Sequence, residues 1–130
     1  MFVYGKDCRV EDLGNGVTRR ILAHDGAMMQ VEVAFETGAI GPLHSHPHAQ
    51  LTYVLSGAFE FTIGDETHVV RAGDTLHKRG GVLHGCRCIE KGVLLDTFTP
   101  QRMDFLPASV LRLPLRCVLA ARRRALPSAA

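Results

Sequence analysis

Apolar and polar side chains alternate through the middle of the chain, and no long stretch keeps a helical period. Between residues 29 and 35 the odd positions are apolar, as at Met29 and Phe35, while Gln30 and Glu32 occupy even positions. Side chains in a strand point alternately to opposite faces, so this period of two predicts a half-buried strand.

The same alternation predicts further strands along the chain. Phe59, Phe61 and Ile63 repeat it before Gly64-Asp65, a pair that suits the tight turn of a hairpin. Glycine-containing turns separate three more segments with strand character: residues 67–71, 82–89 and 93–98. Short strands at this spacing predict an all-β fold, a small antiparallel barrel or jelly roll.

Length and composition suit one compact domain, because a chain of 130 residues is long enough to bury one hydrophobic core but too short to bury two. No apolar run approaches the roughly 20 residues that a membrane helix needs. The N-terminal residues 1–7 lack the charged-then-apolar order of a secretory signal. We therefore expect a cytoplasmic protein without membrane contact, whose four cysteines are reduced.

The positive net charge comes from the C-terminal end. Residues 1–106 hold 10 basic and 13 acidic side chains, a net charge of −3, and five arginines beyond them bring the total to +2. From Pro107 the composition changes to Pro, Ala, Leu and Arg. This predicts a barrel domain over residues 1–106 and a basic, non-barrel extension over residues 107–130. The extension is either irregular or a short helix over residues 115–125. A mildly acidic barrel gives no reason to expect a nucleic-acid partner.

Metal-ligating side chains recur at strand spacing. His44 and His46 are separated by one residue, so both point the same way if a strand runs through them, and Gln50 stays in phase. His84 can join them only if a second strand folds back beside the first. Four nitrogen or oxygen donors in this pattern predict a metal site split across two hairpins.

The other histidines show no such pattern. His24, His68 and His77, together with Tyr53, are expected at the surface, and the stretch around His77 is expected to be irregular. His48 shares the parity of the predicted ligands but receives no role.

Asp96 interrupts an apolar run in the last predicted strand. A carboxylate beside Leu95 and Phe98 is costly to bury unless it meets a cation or opens into a cavity. We expect Asp96 and Phe98 on one face, and His84 with Cys86 on the face of another strand. Asp96 is either an acid–base group or the partner of an arginine at a strand end.

Two groups of residues match the spacing of the motifs of the cupin superfamily. Gly38, His44, His46, Gln50 and Gly57 resemble the first motif, with glutamine in place of glutamate; Gly73, Gly81 and His84 resemble the second. Arg79 and Cys88 depart from the proline and asparagine of the second motif. Residues 46–57, 82–85 and 92–106 resemble, more narrowly, the pectin-degradation cupins of the KdgF type, and the resemblance covers residues 1–106.

This resemblance implies a cupin (jelly-roll) barrel with one divalent transition metal ion. The implied metal ligands are His44, His46, Gln50 and His84, and the implied pocket residues are Asp96, Phe98 and Arg102. Ni, Zn, Mn, Fe, Co and Cu all remain open, because imidazole and amide donors accept each of them. A neutral ligand set leaves the full charge on the ion, which favours a Lewis acid over a redox centre.

The family's reaction is the linearisation of 4,5-unsaturated monouronates from pectin or alginate. The resemblance implies that this protein opens such a ring to linear 5-keto-4-deoxyuronate, with Asp96 as the acid–base candidate. Arg102 would bind the substrate carboxylate or else pair with Asp104 or Glu90, and Phe98 would be a pocket wall or ordinary core.

Two alternatives remain for the function. One is another small-molecule cupin enzyme such as a dioxygenase, and the other is a non-catalytic sugar-binding cupin. A small barrel with exposed strand edges would gain from pairing, so we expect a homodimer.

Overall fold

The computed structural model describes residues 1–107, which form eight β-strands and two short 3₁₀ helices. The strands are β1 (Val10–Gly14), β2 (Val17–His24), β3 (Met29–Phe35), β4 (Ile40–His44), β5 (Ala49–Ile63), β6 (Glu66–Arg71), β7 (Thr75–Lys78) and β8 (His84–Thr99). The 3₁₀ helices span Gly5–Asp7 and Met103–Phe105.

The strands pair antiparallel in the order β1-β2-β3-β8-β5-β6, with β4 added to β8 and β7 added to β5. Strands β5 and β8 pair along almost their whole length, from Ala49 opposite Thr99 to Ile63 opposite His84. The second half of β8 pairs with β3 and the first half with β4, so the sheet curls around a common interior. The all-β jelly-roll barrel expected from the sequence is confirmed.

The two long strands bend together where Gly57 of β5 faces Gly92 of β8. The register of β5 shifts between Val54 and Phe59, and Gly57 has a φ of +80°. A Cβ on Gly57 would lie 2.5 Å from the carbonyl oxygen of Glu90 on β8. Gly57 is therefore required both by its positive φ and by the close approach of the facing backbone.

The alternation analysis located the central strands correctly. Strand β3 has the predicted bounds and buries Met29 and Phe35. The predicted hairpin joins β5 to β6 through Gly64, whose φ is +60°. The predicted return strand over residues 67–71 is β6.

Two predictions of local structure are wrong. The predicted segments 82–89 and 93–98 belong to one strand, β8, which begins at His84, because pairing with β5 resumes on both sides of a bulge and Gly92 itself pairs with Phe35 on β3. His84 and Asp96 consequently share the inner face of a single strand. The stretch around His77 is not irregular, because it forms the four-residue strand β7 against the start of β5.

The expected surface positions hold for three of the four residues. Tyr53, His68 and His77 are exposed, whereas His24 is only 6% exposed and its Nδ1 lies 3.0 Å from Oε1 of Gln101. The prediction for His24 is wrong because the segment after β8 folds back over the end of β2. The helix considered for residues 115–125 lies outside the described residues.

The apolar core consists of two clusters. One lies around Phe35, Phe59 and Leu94, and the other around Met29 and Phe98. Both contribute walls to the cavity described below. Within residues 1–107, no helix combines the length and the apolar character that crossing a membrane requires.

Candidate metal centre and cavity

Three histidines from two distant parts of the chain form one cluster. One ligand atom from each of His44, His46 and His84 lies within 4.8 Å of the other two. The ring centroids of His44 and His84 are 4.4 Å apart, and those of His46 and His84 are 4.9 Å apart. His46 and His84 are buried, while His44 is exposed.

Strand pairing accounts for the convergence. His44 is the last residue of β4 and is paired with His84, the first residue of β8. His46 lies in the connection between β4 and β5, and Gln50 is the second residue of β5. The side chains converge as expected, but the reason differs, because no single strand carries His44, His46 and Gln50.

The local backbone orients each imidazole. Nδ1 donates to a carbonyl oxygen two residues away in every case: His44 to Pro42 at 2.7 Å, His46 to His48 at 3.1 Å and His84 to Val82 at 3.0 Å. A carbonyl oxygen only accepts, so Nδ1 carries the proton and Nε2 keeps its lone pair. Nε2 of each ring is therefore the atom available to a metal ion.

Two of the rings are held in the neutral form that binds metals. Burial lowers the pKa of His84 to about 4, and the charge of Lys78 acts in the same direction. Burial, together with the charge of Arg102, also lowers the pKa of His46. Nε2 of His84 is buried without a hydrogen-bond partner among residues 1–107. Such an atom costs about 1–3 kcal/mol when nothing binds it, so it marks a place for a ligand.

The Gln50 amide faces the histidine cluster. Its Oε1 lies 3.0 Å from Nε2 of His46, and its Nε2 donates to Oγ1 of Thr52 at 3.4 Å. With neutral His46 protonated on Nδ1, an amide oxygen and an imidazole lone pair face each other with no proton between them. A cation satisfies both atoms, and three imidazoles with one amide oxygen form a donor set that suits a divalent transition metal ion.

A cavity of about 150 Å³ adjoins this cluster. His44, Gln50 and His84 contribute to its wall, and so do all three predicted pocket residues, Asp96, Phe98 and Arg102. An apolar cavity of about this volume can hold a six-membered ring such as benzene. The structure thus brings the predicted ligands and the predicted pocket residues to one place.

Asp96 is 8% exposed, and its Oδ1 accepts a hydrogen bond from the Thr52 hydroxyl at 2.5 Å. Within residues 1–107 no arginine forms an ion pair with Asp96. Lys78, only 3% exposed, donates from Nζ to the same Thr52 hydroxyl at 3.0 Å. Burial lowers the pKa of Lys78, and attraction to Asp96 opposes that shift.

Sequence reasoning missed Thr52 and Lys78. Thr52 follows Gln50 by two residues and is a second polar side chain on the inner face of β5, so the period of two already indicated its position. Lys78 ends a four-residue strand with no readable pattern. Its ammonium group lies 4.6 Å from the centre of the Phe61 ring, inside the barrel.

Arg102 pairs with Asp104, which is one of its two expected roles, and it also lies at the cavity. Its Nε and Nη2 donate to the Asp104 carboxylate at 3.0 and 2.8 Å, and the residue lines the cavity at 9% exposure. The guanidinium lies 4.3 Å from the ring centre of Phe105 and 5.2 Å from that of Phe98. The hydrogen bond from Arg102 lowers the pKa of Asp104.

Phe98 is a core residue at the edge of the cavity. It is 3% exposed within the core, lines the cavity and packs against the His46 ring with centroids 5.7 Å apart. The ring of His48 packs against the rings of His46 and Phe98, with centroid distances of 5.4 Å and 6.4 Å.

The curled antiparallel sheet with a histidine cluster in its interior places the protein in a class of antiparallel β-barrel with a candidate metal site. The family model of the cupin domain matches residues 31–98. The chain belongs to the cupin family. Over 98 residues it is 42% identical to the pectin degradation protein KdgF of Dickeya dadantii, which covers 74% of this chain and 89% of that protein. The narrower resemblance is thereby confirmed.

Solved structures agree with this assignment. An RmlC-like cupin from Shewanella frigidimarina superposes with a TM-score of 0.79 at 37% identity, covering 81% of this chain and 95% of that one. KdgF from a Halomonas species superposes with a TM-score of 0.78 at 33% identity, covering 82% and 98%.

Proposed function

We propose that this protein is a metal-dependent enzyme that converts 4,5-unsaturated monouronates from pectin or alginate to linear 5-keto-4-deoxyuronate by ring opening. The similarity to the pectin degradation protein KdgF supports the substrate class. The observation that carries the proposal is the cavity itself, which joins a three-histidine cluster to a carboxylate and a guanidinium.

We propose His44, His46, Gln50 and His84 as the ligands of one divalent transition metal ion. The inward-facing imidazole nitrogens and the Gln50 amide oxygen support this assignment. When bound, the ion supplies positive charge that stabilises negative charge on substrate oxygen atoms. The donor set is compatible with Ni, Zn, Mn, Fe, Co or Cu.

Asp96 is the proposed proton-transfer group. Ring opening breaks the bond between C1 and the ring oxygen. The C1 hydroxyl loses its proton and the ring oxygen gains one, which leaves an aldehyde and an enol. The enol becomes the 5-keto group when its hydroxyl loses a proton and C4 receives one, so the reaction is an isomerisation without net loss of atoms. Thr52 binds Oδ1 of Asp96, and no side chain within residues 1–107 hydrogen-bonds to Oδ2, which leaves that oxygen to exchange protons with the substrate.

Arg102 is the proposed carboxylate-binding group. Asp104 occupies the edge of the guanidinium formed by Nε and Nη2. Nη1 makes no hydrogen bond within residues 1–107, so the edge formed by Nη1 and Nη2 can bind the substrate carboxylate through two parallel hydrogen bonds. Phe98 would provide the apolar wall against the sugar ring.

The test is a spectrophotometric assay with the full chain. A 4,5-unsaturated monouronate has a conjugated ultraviolet band that disappears when the ring opens, and we expect metal-loaded protein to accelerate its loss over the uncatalysed rate. Protein stripped with a chelator and then reloaded provides the matched control. A reloaded protein that gives no acceleration, or that consumes oxygen instead, would refute the proposal and favour a dioxygenase.

We also propose that residues 1–106 act as an independent barrel domain in a cytoplasmic homodimer. Exposed Leu51, Tyr53 and Leu55 on β5 support a self-association surface. Sedimentation velocity at micromolar concentration should give a dimer, and a monomer would contradict this. Deleting residues 107–130 should leave the ring-opening rate within about twofold, because the proposed site residues all precede Pro107.

A further inference from the structure

Thr52 is the centre of a buried hydrogen-bond network that links three strands. Its hydroxyl donates to Oδ1 of Asp96 on β8 at 2.5 Å. It accepts from Nζ of Lys78 on β7 at 3.0 Å and, more weakly, from Nε2 of Gln50 on β5 at 3.4 Å. Thr52 and Asp96 are direct cross-strand partners, as are Gln50 and Lys78.

The capacity of a hydroxyl gives this network a direction. A hydroxyl has one proton and two lone pairs, and all three are used. Because an ammonium group and an amide NH₂ only donate, both lone pairs of Thr52 are occupied and its proton is directed to Asp96. The network therefore permits only one arrangement of its donors and acceptors.

This direction also determines which end of the Gln50 amide faces the histidines. If the amide were rotated by half a turn, its oxygen would face the Thr52 oxygen, whose proton is donated to Asp96. Its NH₂ group would then occupy the position beside His46 where the amide oxygen now lies. The Thr52 hydroxyl therefore favours the orientation in which Gln50 offers its oxygen to the cluster.

We propose that the Thr52 hydroxyl, with Lys78 as its donor, is a positioning group that orients the Gln50 amide toward the histidine cluster and the Asp96 carboxylate toward the cavity at the same time. The part that concerns Asp96 rests on the proposed function. The part that concerns Gln50 rests only on the metal ligand set.

Lys78 suits this role because it is buried and lacks a direct carboxylate partner within residues 1–107. Its ammonium group lies on the Phe61 ring and donates to Thr52, so its charge acts on Asp96 through the shared hydroxyl. Burying an ammonium group away from water is unfavourable, and the Asp96 charge and this hydrogen bond partly offset that cost.

The experiment compares Thr52→Val with Thr52→Ser in the full-length protein. Valine keeps the shape and removes the hydroxyl, whereas serine keeps the hydroxyl. Thr75→Val is the matched control, because the Thr75 hydroxyl donates only to the backbone oxygen of Thr52 at 3.1 Å. Ni²⁺ affinity is measured by calorimetry on chelator-stripped protein, and kcat and KM are measured with the unsaturated monouronate.

We expect Thr52→Val to weaken Ni²⁺ binding and to lower kcat, each by about 10- to 100-fold, with KM within about threefold. Thr52→Ser should recover most of both quantities, and Thr75→Val should match the wild type. A Thr52→Val protein that retains either its Ni²⁺ affinity or its kcat, or a serine variant as impaired as the valine variant, would overturn the proposal.

A second variant covers the case in which Thr52→Val does not fold. Lys78→Met keeps the length of the side chain and its packing on Phe61 but removes the donor, and we expect kcat to fall about tenfold with KM within about threefold. An unchanged kcat would overturn the role of Lys78.

If the wild type does not turn over the uronate, the proposed function fails but the positioning proposal is still decided. Ni²⁺ affinity reports the orientation of Gln50 without substrate. A crystal structure of Thr52→Ser beside one of Lys78→Met reports the position of Asp96, which should shift only in the second.

Discussion

The two sides of the cavity are built in different ways. On the histidine side, each of His44, His46 and His84 is oriented by a carbonyl two residues away in the chain. On the charged side, Thr52 reaches Asp96 across 44 residues and Lys78 across 26. Ring orientation on the first side is therefore a local property, whereas the second side exists only when the whole barrel is assembled.

The two sides also differ in charge. Burial keeps His46 and His84 neutral, so the proposed ligands do not offset the charge of a bound cation. The charged side holds Lys78 and Asp96, and Arg102 with Asp104 lies at the same cavity. This division suggests separate tasks, with cation binding on one side and proton transfer and substrate recognition on the other.

The largest effect should come from removing a histidine. His84→Ala deletes a buried Nε2 that has no hydrogen-bond partner within residues 1–107, so metal affinity and the ring-opening rate should each fall by more than about 100-fold. Metal analysis and the ultraviolet assay measure these losses. His68→Ala changes an exposed histidine and is the control. A His84→Ala protein that still binds one equivalent of metal as tightly as the wild type would contradict the proposal that His84 is a metal ligand.

The second largest effect should come from a substitution on the charged side, which tests whether the two sides act independently. Asp96→Asn retains an oxygen that can accept from Thr52 but cannot exchange a proton in the same way, so kcat should fall by about 10²- to 10⁴-fold. Metal content should stay at the wild-type level if the sides are independent. Asp65→Asn, in the exposed β5–β6 turn, is the matched control. Full activity in Asp96→Asn would exclude it as the proton-transfer group.

A smaller effect should follow from weakening the hydrogen bonds that hold the Arg102 guanidinium against Asp104. Asp104→Asn weakens the two-point contact that holds the guanidinium, and we expect KM to rise about 3- to 10-fold with kcat nearly unchanged. Glu36→Gln removes an exposed partner of Lys91 and should leave KM unchanged. A fall in kcat at constant KM would show that Arg102 serves chemistry and not binding.

The smallest effect concerns the stability of metal-free protein. The pKa of His84 is lowered to about 4 in the folded state, below its ordinary value near 6.5. Between those values the unfolded chain binds a proton that the native state does not, so the free energy of unfolding should fall as the pH drops. One such proton corresponds to a slope of about 1.4 kcal/mol per pH unit. Urea denaturation of the wild type and of His84→Gln measures it, and equal slopes would show that His84 does not contribute.

The central strands could be predicted because their alternation is a local pattern. Strand β3 and the β5–β6 hairpin followed from apolar spacing and from Gly64. The continuity of β8 could not be predicted in this way, because a glycine such as Gly92 predicts a break, and the strand continues through it only by pairing with β3 and β5. Burial of His24 likewise depends on Gln101, which is 77 residues away.

The all-β class, the candidate metal ligands and the cupin relationship could all be predicted from the amino-acid sequence, because each depends on residue types at fixed intervals within short segments of the chain. The tertiary structure was needed to show that the Thr52 hydroxyl hydrogen-bonds to Asp96, Lys78 and Gln50. It was also needed to show that Arg102 both pairs with Asp104 and lines the cavity. The physical reason is that a hydrogen bond between distant strands depends on their register and curvature, which no local interval encodes.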